Sequence, residues 1–138
     1  MTESAAHARL VQALVVFVEQ ELGKLAELSV REDSLRASRC GRPPRIHGYV
    51  PDVFATNVPT TATLIGEAKT SADLETERSE RQIRAFLDYL AQTPNGIFVL
   101  SVPLTAVATA RRLVSRLNPP LAWVQTRAVV IDGVSSYS

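Results

Sequence analysis

Two carboxylates and one amine near the middle of the chain have residue types and a spacing that could do chemistry together. Asp52 is followed after fourteen residues by Glu67, and Lys69 lies two residues further on. If Asp52 and Glu67 lie on two paired strands, their side chains are neighbours, and neighbouring carboxylates repel each other unless a positive charge lies between them. Hard oxygen ligands in a partly hydrated site suit Mg²⁺, for which Mn²⁺ could substitute.

Lys69 adds the third group. The chain has thirteen arginines but only two lysines, Lys24 and Lys69, which indicates that this position requires a compact ammonium. Alternation along a strand places Glu67 and Lys69 on one face. A metal held by carboxylates polarises a phosphate and acidifies a water molecule, and an ammonium stabilises the developing negative charge. The three groups therefore predict phosphodiester hydrolysis. The alternative is a surface hairpin in which Glu67 and Lys69 form an ordinary ion pair.

The string Pro51-Asp52, then fourteen residues, then Glu67-Ala68-Lys69 resembles the signature of the PD-(D/E)XK nuclease superfamily. That superfamily includes restriction enzymes, Holliday-junction resolvases and RecB-like exonucleases. The resemblance implies a DNA nuclease in which Asp52 and Glu67 bind the metal and Lys69 is the catalytic lysine. It also implies the backbone carbonyl of Ala68 as a further metal ligand.

Two helical positions could complete this site. Gln82 flanks the apolar stripe of its helix, and several nuclease branches of the superfamily place a glutamine there near the metal or phosphate. The alternative is a solvent-facing glutamine. In the first helix, Glu21 lies within about 20° of Leu14 in the apolar stripe, whereas Glu19 points to the polar side. A carboxylate facing the core must be paired or bind something, so Glu21 is predicted to be a third acidic ligand, unless the helix frays near Gly23.

Arginines are concentrated just before Asp52. Residues 31–45 contain five arginines, against the acidic Glu32 and Asp33. A local basic stretch can bind phosphates while the rest of the surface stays near neutral. We therefore predict DNA contacts from four arginines: Arg36, Arg39, Arg42 and Arg45. The alternative is a solvated loop without a nucleic-acid partner.

Hydrophobic periodicity predicts the elements that position these residues. The predicted class is α/β, in which helices flank a mixed central sheet in the order αββαβαβ, and the resemblance implies a restriction-endonuclease-like core. The first two strands are expected to be antiparallel, and the later strand–helix–strand units to be parallel with right-handed crossovers. The predicted elements are a helix at 5–25, a basic loop at 31–44, strands at 45–56 and 62–70, a helix at 75–92, a strand at 97–102, a helix at 104–117, a strand at 122–131 and a frayed tail at 132–138.

Length and composition limit the remaining possibilities. A chain of 138 residues with 46% hydrophobic and 21% charged residues is typical of a single globular domain. No apolar run approaches the ~20 residues of a membrane helix, and the first residues lack the pattern of a signal peptide. These features predict a cytoplasmic protein without a membrane partner.

Three functional hypotheses follow. The first is a Mg²⁺-dependent nuclease, which the resemblance implies to be a homodimer, because related small nucleases commonly dimerise. The second is a DNA-binding or assembly module that retains the nuclease fold without turnover, since a fold alone does not guarantee chemistry. The third, a metal-dependent phosphoesterase with a small substrate, ranks last because the sequence lacks a Gly-rich phosphate loop.

Overall fold

The structure is a computed structural model that describes residues 5–22, 27–33, 42–58, 62–118 and 126–133. A short 3-10 helix at Leu104–Ala106 precedes the last helix. The other elements, in chain order, are α1 (Ala5–Leu22), β1 (Glu27–Glu32), β2 (Val53–Val58), β3 (Thr63–Ala68), α2 (Ser71–Leu74), α3 (Glu77–Leu90), β4 (Gly96–Val102), α4 (Val107–Leu117) and β5 (Arg127–Asp132). The predicted α/β class is confirmed.

The strands of these ranges form one open mixed sheet in the order β1-β2-β3-β4-β5. β1 and β2, and likewise β2 and β3, are antiparallel. β3 and β4, and likewise β4 and β5, are parallel. The antiparallel pairing predicted for the strands that flank Asp52 and Glu67 is therefore confirmed, and so is the parallel pairing predicted for the later strands.

Helices cover both faces of this sheet. On one face α1 packs its buried side chains, among them Leu10, Leu14 and Val18, against the sheet. On the other face α3 and α4 form a second cluster that includes Phe86, Leu87 and many smaller side chains. Among the described helices, none is both long enough and apolar enough to cross a membrane.

Gly66 brings α1 close to the strand that carries Glu67. A Cβ atom at Gly66 would lie 3.2 Å from Leu14 Cδ2, which is tighter than ordinary van der Waals contact. The absence of a side chain therefore lets α1 pack closely on β3 one residue before Glu67. The N-terminal half of α1 consequently passes over the end of the sheet where β3 ends.

α3 begins at a side-chain cap and buries one face. Thr76 Oγ1 accepts a hydrogen bond from the Ser79 N–H at 3.2 Å, which satisfies one of the unpaired donors at the helix start. The apolar stripe predicted for this helix is buried. The predicted helix 75–92 corresponds to α3, and α2 is an additional turn of helix before it, with Thr70 at its own cap.

Several element boundaries differ from the predictions. The order αββαβαβ omits β1, because Arg31 and Glu32, assigned to the basic loop, are the last residues of an edge strand. Edge strands tolerate charged residues, so their hydrophobic pattern is weak. β2 begins only at Val53, since Pro51 has no N–H to donate to a ladder. Asp132, assigned to the tail, ends β5, while residues 134–138 lie outside the described residues.

Candidate active site

Asp52 and Glu67 hold each other through backbone hydrogen bonds. Val53 pairs with Gly66 across β2 and β3, so the same register places Asp52 opposite Glu67. The Asp52 N–H donates to Glu67 Oε1 at 2.9 Å, and the Ala68 N–H donates to Asp52 Oδ2 at 2.8 Å. Each carboxylate is thus fixed by an N–H group of the opposite strand segment. The structure brings the two side chains together as their spacing predicts, although Asp52 lies just before its strand.

Both carboxylates are removed from solvent. Asp52 is 9% exposed and Glu67 is 2% exposed. Burial raises the pKa of Glu67 well above its usual range, and the charge of Asp52 raises that pKa further, whereas the charge of Lys69 lowers it. Two buried carboxylates in contact are stable when a proton or a cation compensates their charge. The site is therefore electrostatically prepared to take up positive charge.

Lys69 supplies part of that charge and is held by α3. Its Nζ lies 3.4 Å from Glu67 Oε2 and donates to Gln82 Oε1 at 2.6 Å. The Lys69 backbone N–H donates to the Ser101 carbonyl at 3.0 Å, which extends the β3–β4 pairing one residue beyond β3. Gln82 is 8% exposed, so the alternative of a solvent-facing glutamine is wrong. The ammonium consequently has a defined position beside Glu67.

His7 is a site residue that sequence reasoning missed. His7 lies at the start of α1, and its Nε2 is 3.5 Å from Asp52 Oδ2. A signal was present, because His7 precedes Leu10 and Leu14 by three and seven residues, which places a polar side chain on the buried face of α1. The contact itself spans 45 residues of sequence between positions 7 and 52, and local periodicity carries no information about such distances.

Glu21 does not join this group. Its carboxylate lies 3.5 Å from Arg127 Nη2, and its side chain is 38% exposed. The prediction that Glu21 faces the core is therefore wrong, and Glu19 is exposed as well. The site lies at the start of α1, and a helix rise of 1.5 Å per residue puts Glu21 roughly 21 Å along the helix axis from His7.

The predicted DNA-contacting arginines are only partly described. Arg42 Nη1 donates to Asp33 Oδ1 at 2.7 Å, and Arg45 Nη1 donates to the Gly48 carbonyl at 3.0 Å. Both side chains are exposed. Arg36 and Arg39 lie outside the described residues. DNA binding by this stretch stays a prediction.

The residues present fit a hydrated divalent cation. The two backbone N–H groups donate to Glu67 Oε1 and Asp52 Oδ2. They do not hold the second oxygen of either carboxylate, which is Glu67 Oε2 or Asp52 Oδ1. Among the described residues, no three acidic, histidine or cysteine side chains form a complete metal cage. Mg²⁺ does not need one, because it retains several water ligands and is usually held by one or two carboxylates. The hydrogen bond described for Ala68 is that of its N–H group. The predicted role of the Ala68 carbonyl as a metal ligand stays a prediction.

The site thus draws His7 from α1, Asp52 from the start of β2, Glu67 and Lys69 from the end of β3, and Gln82 from α3. Any functional assignment depends on this geometry. Comparisons of the chain with models of known protein families, with curated proteins and with solved structures found no significant match.

Proposed function

We propose that this protein is a Mg²⁺-dependent nuclease that hydrolyses DNA phosphodiester bonds. The observation that carries the proposal is the buried Asp52–Glu67 pair with Lys69 Nζ 3.4 Å from Glu67 Oε2. Two carboxylates and an ammonium in contact can together hold a cation and stabilise a phosphate that gains negative charge. An ordinary surface ion pair does not explain the arrangement, because Glu67 is 2% exposed.

The surrounding fold supports a restriction-endonuclease-like core of the PD-(D/E)XK type. The two carboxylates lie where one antiparallel pair, β2 and β3, meets the first parallel pair, β3 and β4. α3, which connects the parallel strands, contributes Gln82 to the same site. The motif Asp52, Glu67-Ala68-Lys69 therefore occurs in three dimensions as one cluster, and not only as a spacing in the sequence.

Each side chain has a role that follows from its contacts. Asp52 and Glu67 would hold Mg²⁺, which supplies positive charge to the phosphate and acidifies a water molecule. Lys69 donates hydrogen bonds that orient the attacking water and stabilise negative charge on the phosphate. Gln82 accepts one hydrogen bond from Lys69 Nζ, which limits the positions of the ammonium. His7 restrains Asp52 from the other face of the sheet.

DNA cleavage tests the proposal directly. Supercoiled plasmid, linear duplex and branched DNA are incubated with the protein in Mg²⁺ or Mn²⁺ and analysed on gels. We expect cleavage by the wild type, none in EDTA, and a loss of at least about 100-fold in rate for Lys69→Ala and Asp52→Ala, as for removal of one group that stabilises a transition state. Equal behaviour of the three proteins would contradict the proposal.

Metal binding separates the nuclease from an inactive module with the same fold. Isothermal titration calorimetry should detect Mg²⁺ or Mn²⁺ binding to the wild type and its loss in Asp52→Asn. Arg84→Gln is a matched control, since Arg84 is exposed on α3 and lies 4.0 Å from Glu80 rather than in the site. A wild type that binds neither metal would favour the alternative of a DNA-binding or assembly module without turnover.

A further inference from the structure

Arg78 is an arginine next to the site that faces an aromatic ring. Its Cζ lies 5.9 Å from the centroid of the Tyr49 ring, within the range of a cation–π contact. Other described arginines, including Arg42, Arg116 and Arg127, face carboxylates. A guanidinium that stacks on a ring keeps its charge, and its N–H donors point outward at the edge of its plane. Arg78 is thus equipped to bind an anion.

The Tyr49 ring is held by a tight turn. Ile46 N–H donates to the Tyr49 carbonyl at 2.7 Å, and Tyr49 N–H donates to the Ile46 carbonyl at 2.9 Å. The two residues between them have positive φ angles, 51° at His47 and 87° at Gly48, as in the two-residue turns that suit hairpins. Glycine takes this conformation without strain, and histidine is among the residues that tolerate it.

The hydrophobic core fixes both ends of this turn. Ile46 is 4% exposed and belongs to the cluster under α3 and α4. The Tyr49 ring meets Phe86 edge to face, with centroids 6.4 Å apart and planes at 80°. Phe86 is fully buried. Because the ring is anchored in the core, the guanidinium that rests on it is positioned before any ligand binds, which reduces the entropy lost on binding.

The place of Arg78 in α3 defines what it could bind. It lies in the first turn of the helix, where a cation opposes the helix dipole and an anion is favoured. Arg78 also lies four residues before Gln82, so the two side chains are on the same face of α3, with Cβ atoms about 5–6 Å apart. Since Gln82 accepts from Lys69 Nζ, Arg78 lies one helix turn from the residue that holds the proposed catalytic lysine.

We propose that Arg78, held by Tyr49, binds the DNA phosphate adjacent to the one that is cleaved. This inference rests on the proposed nuclease function. It names Arg78 as a substrate-binding residue and Tyr49 as its positioning residue, and it defines the substrate as a strand with a charged phosphate on at least one side of the cleaved bond.

A methylphosphonate scan tests the position of the contact. End-labelled DNA strands of about 20 nucleotides, each with one neutral methylphosphonate linkage, are cleaved as single strands and as duplexes, and the products are mapped on sequencing gels. In the wild type a neutral linkage should suppress cleavage at the adjacent bond by about 10-fold, the loss expected for a charge-assisted hydrogen bond. In Arg78→Gln, cleavage is lower overall and this particular suppression disappears. An Arg78→Gln variant as sensitive as the wild type at every linkage overturns the proposal.

Binding without cleavage gives a second measurement. In Ca²⁺, fluorescence anisotropy should show Arg78→Gln binding the unmodified strand about 10-fold more weakly. The slope of log Kobs against log salt concentration should fall by about 0.7–0.9, the value of one phosphate contact. Arg84→Gln, six residues further along α3, is the control and should retain both wild-type values. Equal losses in Arg78→Gln and Arg84→Gln would indicate a diffuse charge effect and contradict a specific contact.

Variants of Tyr49 test the positioning role. Tyr49→Leu should reproduce the loss of Arg78→Gln, and the double variant should lose no more than either single one. Tyr49→Phe, which retains the ring, should retain the methylphosphonate sensitivity. Additive losses in the double variant would show that Tyr49 does not act through Arg78. If the wild type cleaves DNA and Arg78→Gln binds and cleaves DNA as the wild type does, this inference alone is refuted. If the wild type neither binds nor cleaves DNA, both the proposed function and this inference are refuted.

Discussion

Glu67 combines burial with a like charge, and this makes it a source of instability in the metal-free protein. Its carboxyl is 2% exposed and in contact with Asp52, so that its pKa is raised. We predict that Glu67→Gln raises the melting temperature in EDTA at neutral pH by about 3–6 °C, the shift that about 1 kcal/mol produces in a domain of this size. The glutamine oxygen can still accept the Asp52 N–H.

Addition of Mg²⁺ should make the wild type melt at a higher temperature than Glu67→Gln. Mg²⁺ bound at the proposed site would raise the melting temperature of the wild type, whereas Glu67→Gln would lack one ligand charge and should respond weakly. Differential scanning calorimetry with and without millimolar Mg²⁺ measures both effects. A wild type that is more stable than Glu67→Gln in EDTA would show that Lys69 already compensates the two carboxylates without a cation.

Gln82 should act on catalysis through Lys69. Gln82→Ala removes the acceptor that lies 2.6 Å from Lys69 Nζ, so the ammonium loses one restraint beside Glu67. We expect kcat to fall by about 10-fold with KM little changed, because the loss concerns an interaction of the transition state. Gln82→Glu retains an acceptor and should recover much of the rate. A variant in which only KM rises would place Gln82 on the substrate instead.

Sequence reasoning succeeded for residues whose relation is local. Asp52 and Glu67 are neighbours across one antiparallel pair, and Lys69 follows from strand alternation, so spacing alone predicts their proximity. It failed at α1, where the side chain of Glu21, predicted to face the core, is exposed beside Arg127. His7 contacts Asp52 instead, and local periodicity cannot predict a contact between positions 7 and 52.

Among the elements, α3 depends on its first turn. Thr76 Oγ1 caps Ser79 N–H and donates to the Asp73 carbonyl at 2.8 Å, which joins α2 to α3. Thr76→Ala should lower the free energy of unfolding by about 1 kcal/mol, the usual value of a helix cap. Urea denaturation measures the change, with Thr76→Ser as the control that retains the hydroxyl. An unchanged midpoint in Thr76→Ala would mean that the cap does not stabilise α3.

The pair of Glu80 and Arg116 joins α3 to α4 and should give stability that depends on pH. Arg116 Nη1 donates to Glu80 Oε1 at 2.7 Å, and this bond lowers the pKa of Glu80 below its usual 4.5. A carboxyl whose pKa is lower in the folded than in the unfolded protein stabilises the fold at pH values above its unfolded-state pKa. This contribution to the free energy of unfolding disappears as the pH falls through the pKa of the folded protein. The wild type should therefore melt slightly above Glu80→Gln near pH 7 and together with it near pH 3. A constant difference at both pH values would exclude the ion pair as its cause.

The sequence predicted buried elements better than edge elements. β3 is buried at all six positions and β4 at six of seven, and the predicted bounds of both strands agree with the structure within about two residues. β1 lies at the sheet edge, where the segment Glu27–Glu32 carries charged residues at three of six positions, and its pattern resembles that of a loop. Its pairing with β2 is a non-local contact that composition does not reveal.

At the scale of the whole molecule, the predicted homodimer is open to a direct test. A domain of this size has little surface to bind DNA, and two copies would present two proposed sites to two strands. Light scattering should report about twice the chain mass of 15.0 kDa, with Arg78→Gln as a control that leaves the mass unchanged. A monomer at all concentrations would contradict the prediction and would imply that one site cleaves one strand at a time.

Two hydrogen bonds join Asp52 to Glu67 and Ala68. The geometry of the site therefore depends on the register of β2 against β3. If β2 slipped by one position against β3, the side chain of Asp52 would point to the opposite face of the sheet and both hydrogen bonds would break. Misaligned folding intermediates would therefore be inert. The proposed nuclease activity would then report on folding, because it would appear during refolding only after β2 and β3 have reached their native register.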